Sequence, residues 1–395
     1  METRRPNILW IVTTQWRAAA FGYAGDVNAS TPQLDRLASQ AIHYTQAVTP
    51  HPFGPFARAA LLTGRASPEN GVRFYHDPLP RDQRTIAHEL NARGYVTAFF
   101  GKWHLAPRDP DAPLVGEAHA RTVVALEDRG GFRFWEGFEG GFQLNNPWLH
   151  GSRLRHPTQL AGYQSDVLVE WLLDWLREQT PAWLPRNAPP WFAVLSLEPP
   201  HPPYDAPLPE GIQLPDADEL VLRDNVPRGG EAERRARREL AGYYGHIAAT
   251  DRAIGRLLQN LPEDTIVVFT SVHGDMHGSQ GCFRKGWPYE ESVRVPLLAR
   301  GVSGHGATED ASPVSLLNLP AMTCAWADGR TWNGAGSAAK LSMPSVVALR
   351  DQCDRIWHGE RTPDRKRIYD EHGALWLEFD LRNDPFEQEN RASRS

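Results

Sequence analysis

The chain is poor in cysteine and nearly as poor in lysine. Three cysteines in 395 residues (Cys282, Cys324 and Cys353) are odd in number and scattered, which argues against a disulfide framework or a cysteine zinc site. No apolar run approaches the ~20 residues that cross a bilayer, so no membrane partner is expected. There is no basic excess either. A net charge of −6 gives no reason to expect nucleic acid or an anionic membrane as a partner. The opening METRRPNILWIV is too short and strand-like for a secretory leader, and a cytoplasmic protein is expected. No internal repeat or low-complexity tract stands out. Lysine numbers 4 against 38 arginines. The bias is compositional, yet it makes each lysine informative, because a compact ammonium and a planar guanidinium suit different tasks.

The length and 41% hydrophobic content suit one large α/β domain with a smaller companion. Asn7 to Val12 (NILWIV) is a continuous apolar run, the mark of a strand buried on both faces. TPQLDRLASQA follows as a helix, with Thr31 as its expected N-cap before Pro32. RTIAHELNARG is an amphipathic helix closed by Gly94, and Tyr95 to Phe100 a second strand. Residues 106–160, rich in Gly, Pro and aromatic residues, are expected to form a structured loop over the active face. SDVLVEWLLDWLREQ is helical, and Trp191 to Leu197 a third strand. The charged GGEAERRARREL is expected to be exposed ahead of a helix through DRAIGRLLQNL. Asp264 to Ser271 is a fourth strand, and the segment around ALWLEFDL suits a small antiparallel sheet.

Alternating strands and helices predict a doubly wound, mostly parallel sheet with helices on both faces, plus a small C-terminal antiparallel subdomain. The expected division is 1–305 and 306–395. Ligands in such folds bind beyond the carboxyl ends of the strands, and ionisable residues cluster there: Lys102 and His104, His201, and His273 with Asp275. Arg58 and Lys285 join them from other segments. Each alone is more often a surface lysine or a hydrogen-bonded structural histidine. Two of the four lysines fall in these segments, however, and together the set predicts an anion-attracting pocket. Arg58 lies in HPFGPFARAALLTGR, a loop leading into a short helix from about Phe56 to Leu62, where free N–H groups and the helix dipole favour an anion.

That stretch resembles the signature of the formylglycine sulfatases in the alkaline phosphatase superfamily, C-x-P-S-R-x-x-L-L-T-G-R. PNILWIV, TPQLDRLA, GYVTAFFGKWHL, EPPHPPY, VVFTSVHGDMHG, KGWPYEESVRVPLLARG and DLRNDPFEQEN resemble further family segments, in the family's order. The resemblance implies that Arg58, Lys102, His104, His201 and Lys285 hold a sulfate group and protonate the leaving oxygen. It also implies a formylglycine nucleophile and one divalent cation, usually calcium. At the nucleophile position stands Gly54, which has no side chain to oxidise. At the metal positions stand Thr14, Gln15, Val272 and His273, which bring no carboxylate for a hard cation. Asp275 matches a family position that is not a ligand. No metal and no other cofactor is therefore expected.

Three functions remain open at this point. One is a repurposed enzyme doing metal-independent elimination, condensation or group transfer on a small sulfate, sulfonate, phosphate or carboxylate. There His104 and His201 would be acid and base, and Arg58, Lys102 and Lys285 would hold the anion. Trp148, His150, Arg153 and Arg155 in the 106–160 loop would choose the substrate. The second is a catalytically inactive protein that binds an anion or a partner, and the third is residual sulfate ester hydrolysis. The expected partner is a small anionic molecule, with the oligomeric state open.

Overall fold

The computed structural model describes residues 5–179, 188–302 and 304–392. Its centre is a sheet of ten strands among the described residues. In spatial order they are Thr308–Asp310, Ala41–Tyr44, Leu297–Arg300, Thr265–Ser271, Asn7–Thr13, Trp191–Ser196, Val96–Lys102, Phe134–Phe138, Trp148–Gly151 and Thr158–Gln159. The five strands from Thr265–Ser271 to Phe134–Phe138 run parallel. Leu297–Arg300 is antiparallel to both its neighbours, and the far edge is closed by two antiparallel strands. The fold is a mostly parallel α/β sheet with a separate four-stranded antiparallel sheet near the C-terminus.

Side chains alternate between two cores, as the pleat requires. Ile8, Trp10 and Val12 point into one, and Leu9 and Ile11 into the other. The first core is covered by the helices Gly54–Thr63, Ile86–Ala92 and Leu319–Ala327, and the second by Pro32–Ala38, Gln164–Gln179 and Glu231–Gln259. Burial on both faces is why these strands read as unbroken apolar runs. Among the described residues no helix is long and apolar enough to cross a membrane.

Four local expectations change. The charged GGEAERRARREL is not a connector: from Glu231 on it forms the first turns of a 29-residue helix. Arg237 pairs with Glu233 and Arg235 with Glu239 one turn apart, while Ala236 and Leu240 are buried; such pairs stabilise an exposed helical face. Thr31 makes no side-chain cap. Its hydroxyl bonds Asp35, and the Gln33 and Leu34 N–H groups go to the Asp251 carboxylate of the long helix. Residues 106–160 are not one continuous loop: three strands extend the sheet edge, while Leu114, Val115 and Phe142 from the stretches between and before them reach the cavity. Finally, Thr308–Asp310 pairs with Ala41–Tyr44 in the main sheet and Val314–Ser315 with Ala47–Val48. The first strands after residue 306 therefore pair with strands of the preceding region, and the small antiparallel sheet begins at Ala339.

Candidate active site

Parallel pairing aligns the carboxyl ends of the central strands. Thr13 lies opposite Ser271, and Ser196 lies opposite both Val12 and Gly101. The segments that follow, at Thr14, Lys102 to His104, Glu198 to His201 and His273, consequently meet on one edge. With the start of the Gly54–Thr63 helix and the loop carrying Lys285 they enclose a cavity of about 1080 Å³. Thr14, Gly54, Lys102, His104, His201, His273 and Lys285 all line it.

Its two lysines differ in their partners. Lys102 is buried and its Nζ lies 2.6 Å from Glu198 Oε1, also buried. Burial still lowers its pKa to about 8, with Glu198 opposing the fall. Lys285 donates to the Gln15 carboxamide oxygen at 2.5 Å and to His201 Nε2 at 3.0 Å. Neither acceptor is charged. Burial and the nearby Lys102 ammonium bring its pKa down to about 7.

The imidazoles are held neutral. Burial, then neighbouring cations, lowers His104, His201 and His273 well below the usual histidine range. His201 Nδ1 donates to Pro202 O at 2.7 Å, which leaves the Nε2 lone pair facing Lys285. Its ring stacks on Phe142, with centroids 4.5 Å apart. His273 Nδ1 donates to Gly274 O at 2.9 Å, and its Nε2 has no partner. His104 Nδ1 is also unpartnered. A Cβ added at Gly54 would come 3.0 Å from that nitrogen, so the glycine allows the ring its position.

Arg58 does not line the cavity. Its guanidinium donates to Lys102 O (3.1 Å), Ser196 Oγ (2.7 Å) and Thr14 Oγ1 (2.8 Å). Gln15 is fully buried and bridges Lys285 to the Asp275 carboxylate, which also accepts from Tyr204 OH at 2.5 Å. Val272 faces the hydrophobic core. The donors at these positions do not fit a hard divalent cation. Thr14 Oγ1 is bonded to Arg58 and Leu197 O, the Gln15 oxygen carries the Lys285 amine, and only one ring nitrogen is left.

Trp148, His150, Arg153 and Arg155 lie away from the cavity. His150 accepts from the Val124 N–H, Arg153 pairs with Glu178, and Trp148 lies under Arg121. Two further residues shape the site. Glu198, directly after the Trp191–Ser196 strand, supplies the counter-charge to Lys102, and its place after an apolar run was the available signal. Phe142 lies 4.6 Å from the Lys102 ammonium and against His201; no local pattern pointed to it.

A cavity lined in part by lysines and histidines, at the carboxyl edge of a mostly parallel α/β sheet, defines the class. The Sulfatase family model matches residues 6–329, and the chain belongs to the sulfatase family. An ulvan-active sulfatase of Formosa agariphila is 36% identical over 76% of this chain, which spans 57% of that protein's length. An arylsulfatase of Clostridium perfringens is 29% identical over 98% of the chain and 90% of its own. The yidJ protein of Bacteroides fragilis shares the fold, with a TM-score of 0.84 at 23% identity, covering 100% of this chain and 93% of its own.

Proposed function

We propose that this chain is a divergent sulfatase-family protein that lacks formylglycine and metal, and performs metal-independent acid/base chemistry on a small anionic molecule. The anion would be a sulfate, sulfonate, phosphate or carboxylate, and the reaction an elimination, condensation or group transfer. The observation that carries this is Lys285, a buried cation in the cavity whose two hydrogen-bond acceptors are both neutral. An anion entering the cavity completes that pair and holds the amine as an ammonium ion. Lys102, paired with Glu198 at 2.6 Å, lines the same cavity. Arg58 contributes from behind, by orienting Thr14 and the Lys102 carbonyl. His104 acts as the base through its free Nδ1. His201 exchanges a proton with Lys285, which is the acid of the pair because both imidazoles are neutral. The free thiols Cys282, Cys324 and Cys353 accord with a cytoplasmic setting.

The test is calorimetry in low salt and EDTA with sulfate, phenyl sulfate and phenylphosphonate, followed by product analysis with wild type and His104→Ala. Absence of anion binding sinks the proposal. A second reading, an inactive anion-binding protein, draws on Lys102 and His201 already having partners. It predicts binding without turnover and no effect of His104→Ala on any product.

A further inference from the structure

The four lysines of the chain differ in one respect. Lys102 faces Glu198 at 2.6 Å, and Lys366 faces Glu290 and Glu387 at 2.8 and 2.6 Å. Lys340 is exposed. Lys285 alone is buried without a carboxylate partner among the described residues. Its surroundings are also fixed. Asp275 accepts from the Gln15 amide nitrogen, so the carboxamide oxygen must face the amine. The Pro202 carbonyl holds His201 in the tautomer whose Nε2 lone pair points at Nζ, and Phe142 braces the ring. A desolvated amine beside a second cation, with a proton acceptor in contact, is the arrangement that makes a lysine nucleophilic.

We propose that Lys285 forms imines: its amine adds to the carbonyl carbon of an aldehyde or ketone that enters the cavity. The nitrogen lone pair makes the new C–N bond, and the carbonyl π pair moves to oxygen. One Nζ proton passes through His201 Nε2 to that oxygen, giving a carbinolamine. The nitrogen then expels the hydroxyl, which leaves as water with the second Nζ proton. The balance is Lys–NH₂ + R₂C=O → Lys–N=CR₂ + H₂O, with no oxidant or reductant. The cavity wall at Leu114, Leu208, Ile212, Leu214 and Leu349 favours a carbonyl compound with an apolar body. The lowered pKa of Lys285, about 7, leaves much of the amine free near neutrality. This role goes beyond the anion pocket proposed above and competes with it, since an anion pairs with the ammonium form and a carbonyl reacts with the free amine.

The experiment incubates the full chain with benzaldehyde and sodium cyanoborohydride at pH 7.5 and follows benzyl adducts by peptide mass mapping. Lys285 is expected to label at least about tenfold faster than exposed Lys340, since an ordinary lysine is almost wholly protonated there. Gln15→Glu, which places a carboxylate against the amine, is expected to slow labelling of Lys285 and leave Lys340 unchanged. Labelling of Lys285 no faster than Lys340, in protein with an unaltered circular dichroism spectrum, overturns the proposal. Benzenesulfonate separates the two roles. If it slows Lys285 labelling, both stand. If labelling proceeds at full rate in its presence, the imine role stands and the anion role falls. If calorimetry shows it bound while Lys285 stays unlabelled in its absence, the imine role falls and the anion role remains.

Discussion

The imidazole of His104 stands where a side chain on residue 54 would begin: a Cβ there would lie 3.0 Å from Nδ1 and 3.3 Å from Cε1. His104 itself has φ of 61°, in the left-handed region, so its backbone has little freedom to retreat. Gly54→Ala sets two effects against each other. Alanine in place of glycine within a helix is worth up to about 1 kcal/mol, while overpacking costs about 1–3 kcal/mol. The contact is tight enough that overpacking wins. Gly54→Ala is expected to lower the urea-unfolding free energy by about 1 kcal/mol, and Gly54→Cys not to restore aryl sulfate hydrolysis. A stabilised alanine variant would show that His104 yields freely.

Lys102 and Glu198 form a buried pair at 2.6 Å. Removing one partner strands the other charge, at a cost of about 3–5 kcal/mol, whereas replacing both with neutral groups of similar volume is often close to neutral. Glu198→Ala and Lys102→Met should each destabilise strongly in urea, and Lys102→Met with Glu198→Gln should recover most of the loss. Single variants that unfold like wild type would mean that water reaches the pair.

The central strands could be read from sequence because burial on both faces writes them as unbroken apolar runs, and the parallel order then places their ends together. That reasoning put Lys102, His104, His201 and His273 on one edge. It could not say which way side chains turn. Arg58 was assigned to the anion from its place in a first helical turn. In the fold its two terminal guanidinium nitrogens donate to Thr14, Ser196 and the Lys102 carbonyl, away from the cavity. Glu198 stands just after the Trp191–Ser196 strand, three residues before His201, and nothing in the local pattern marks it as the counter-charge to Lys102. Phe142 reaches the site from a glycine-rich stretch with φ of 52°, a placement that only the assembled sheet edge determines.

The Thr14, Gln15, Val272 and His273 set makes a prediction about metal. A site with micromolar affinity for calcium would stabilise the chain by about 4 kcal/mol at millimolar calcium, a shift easily seen by melting. Unfolding temperature and sulfate affinity are expected to be the same in EDTA and in millimolar calcium or magnesium. A saturable rise in melting temperature with either ion would refute the donor-set argument.

Lys285 ties affinity and stability to pH in opposite directions. Its pKa in the free folded protein is near 7, against 10.5 for an ordinary lysine. Only the ammonium form pairs with an anion, so sulfate affinity should fall about tenfold per pH unit above 7. Stability moves the other way. Between about 7 and 10.5 the unfolded chain binds a proton that the folded chain does not, so stability rises with pH. Relative to Lys285→Met, the wild type should gain about 1.4 kcal/mol per pH unit across that window. Sulfate titrations and urea melts of both proteins at pH 6, 7, 8 and 9 check the two slopes. If the difference between wild type and Lys285→Met is flat with pH, Lys285 remains charged throughout, and both the slopes and the amine chemistry built on them fail together.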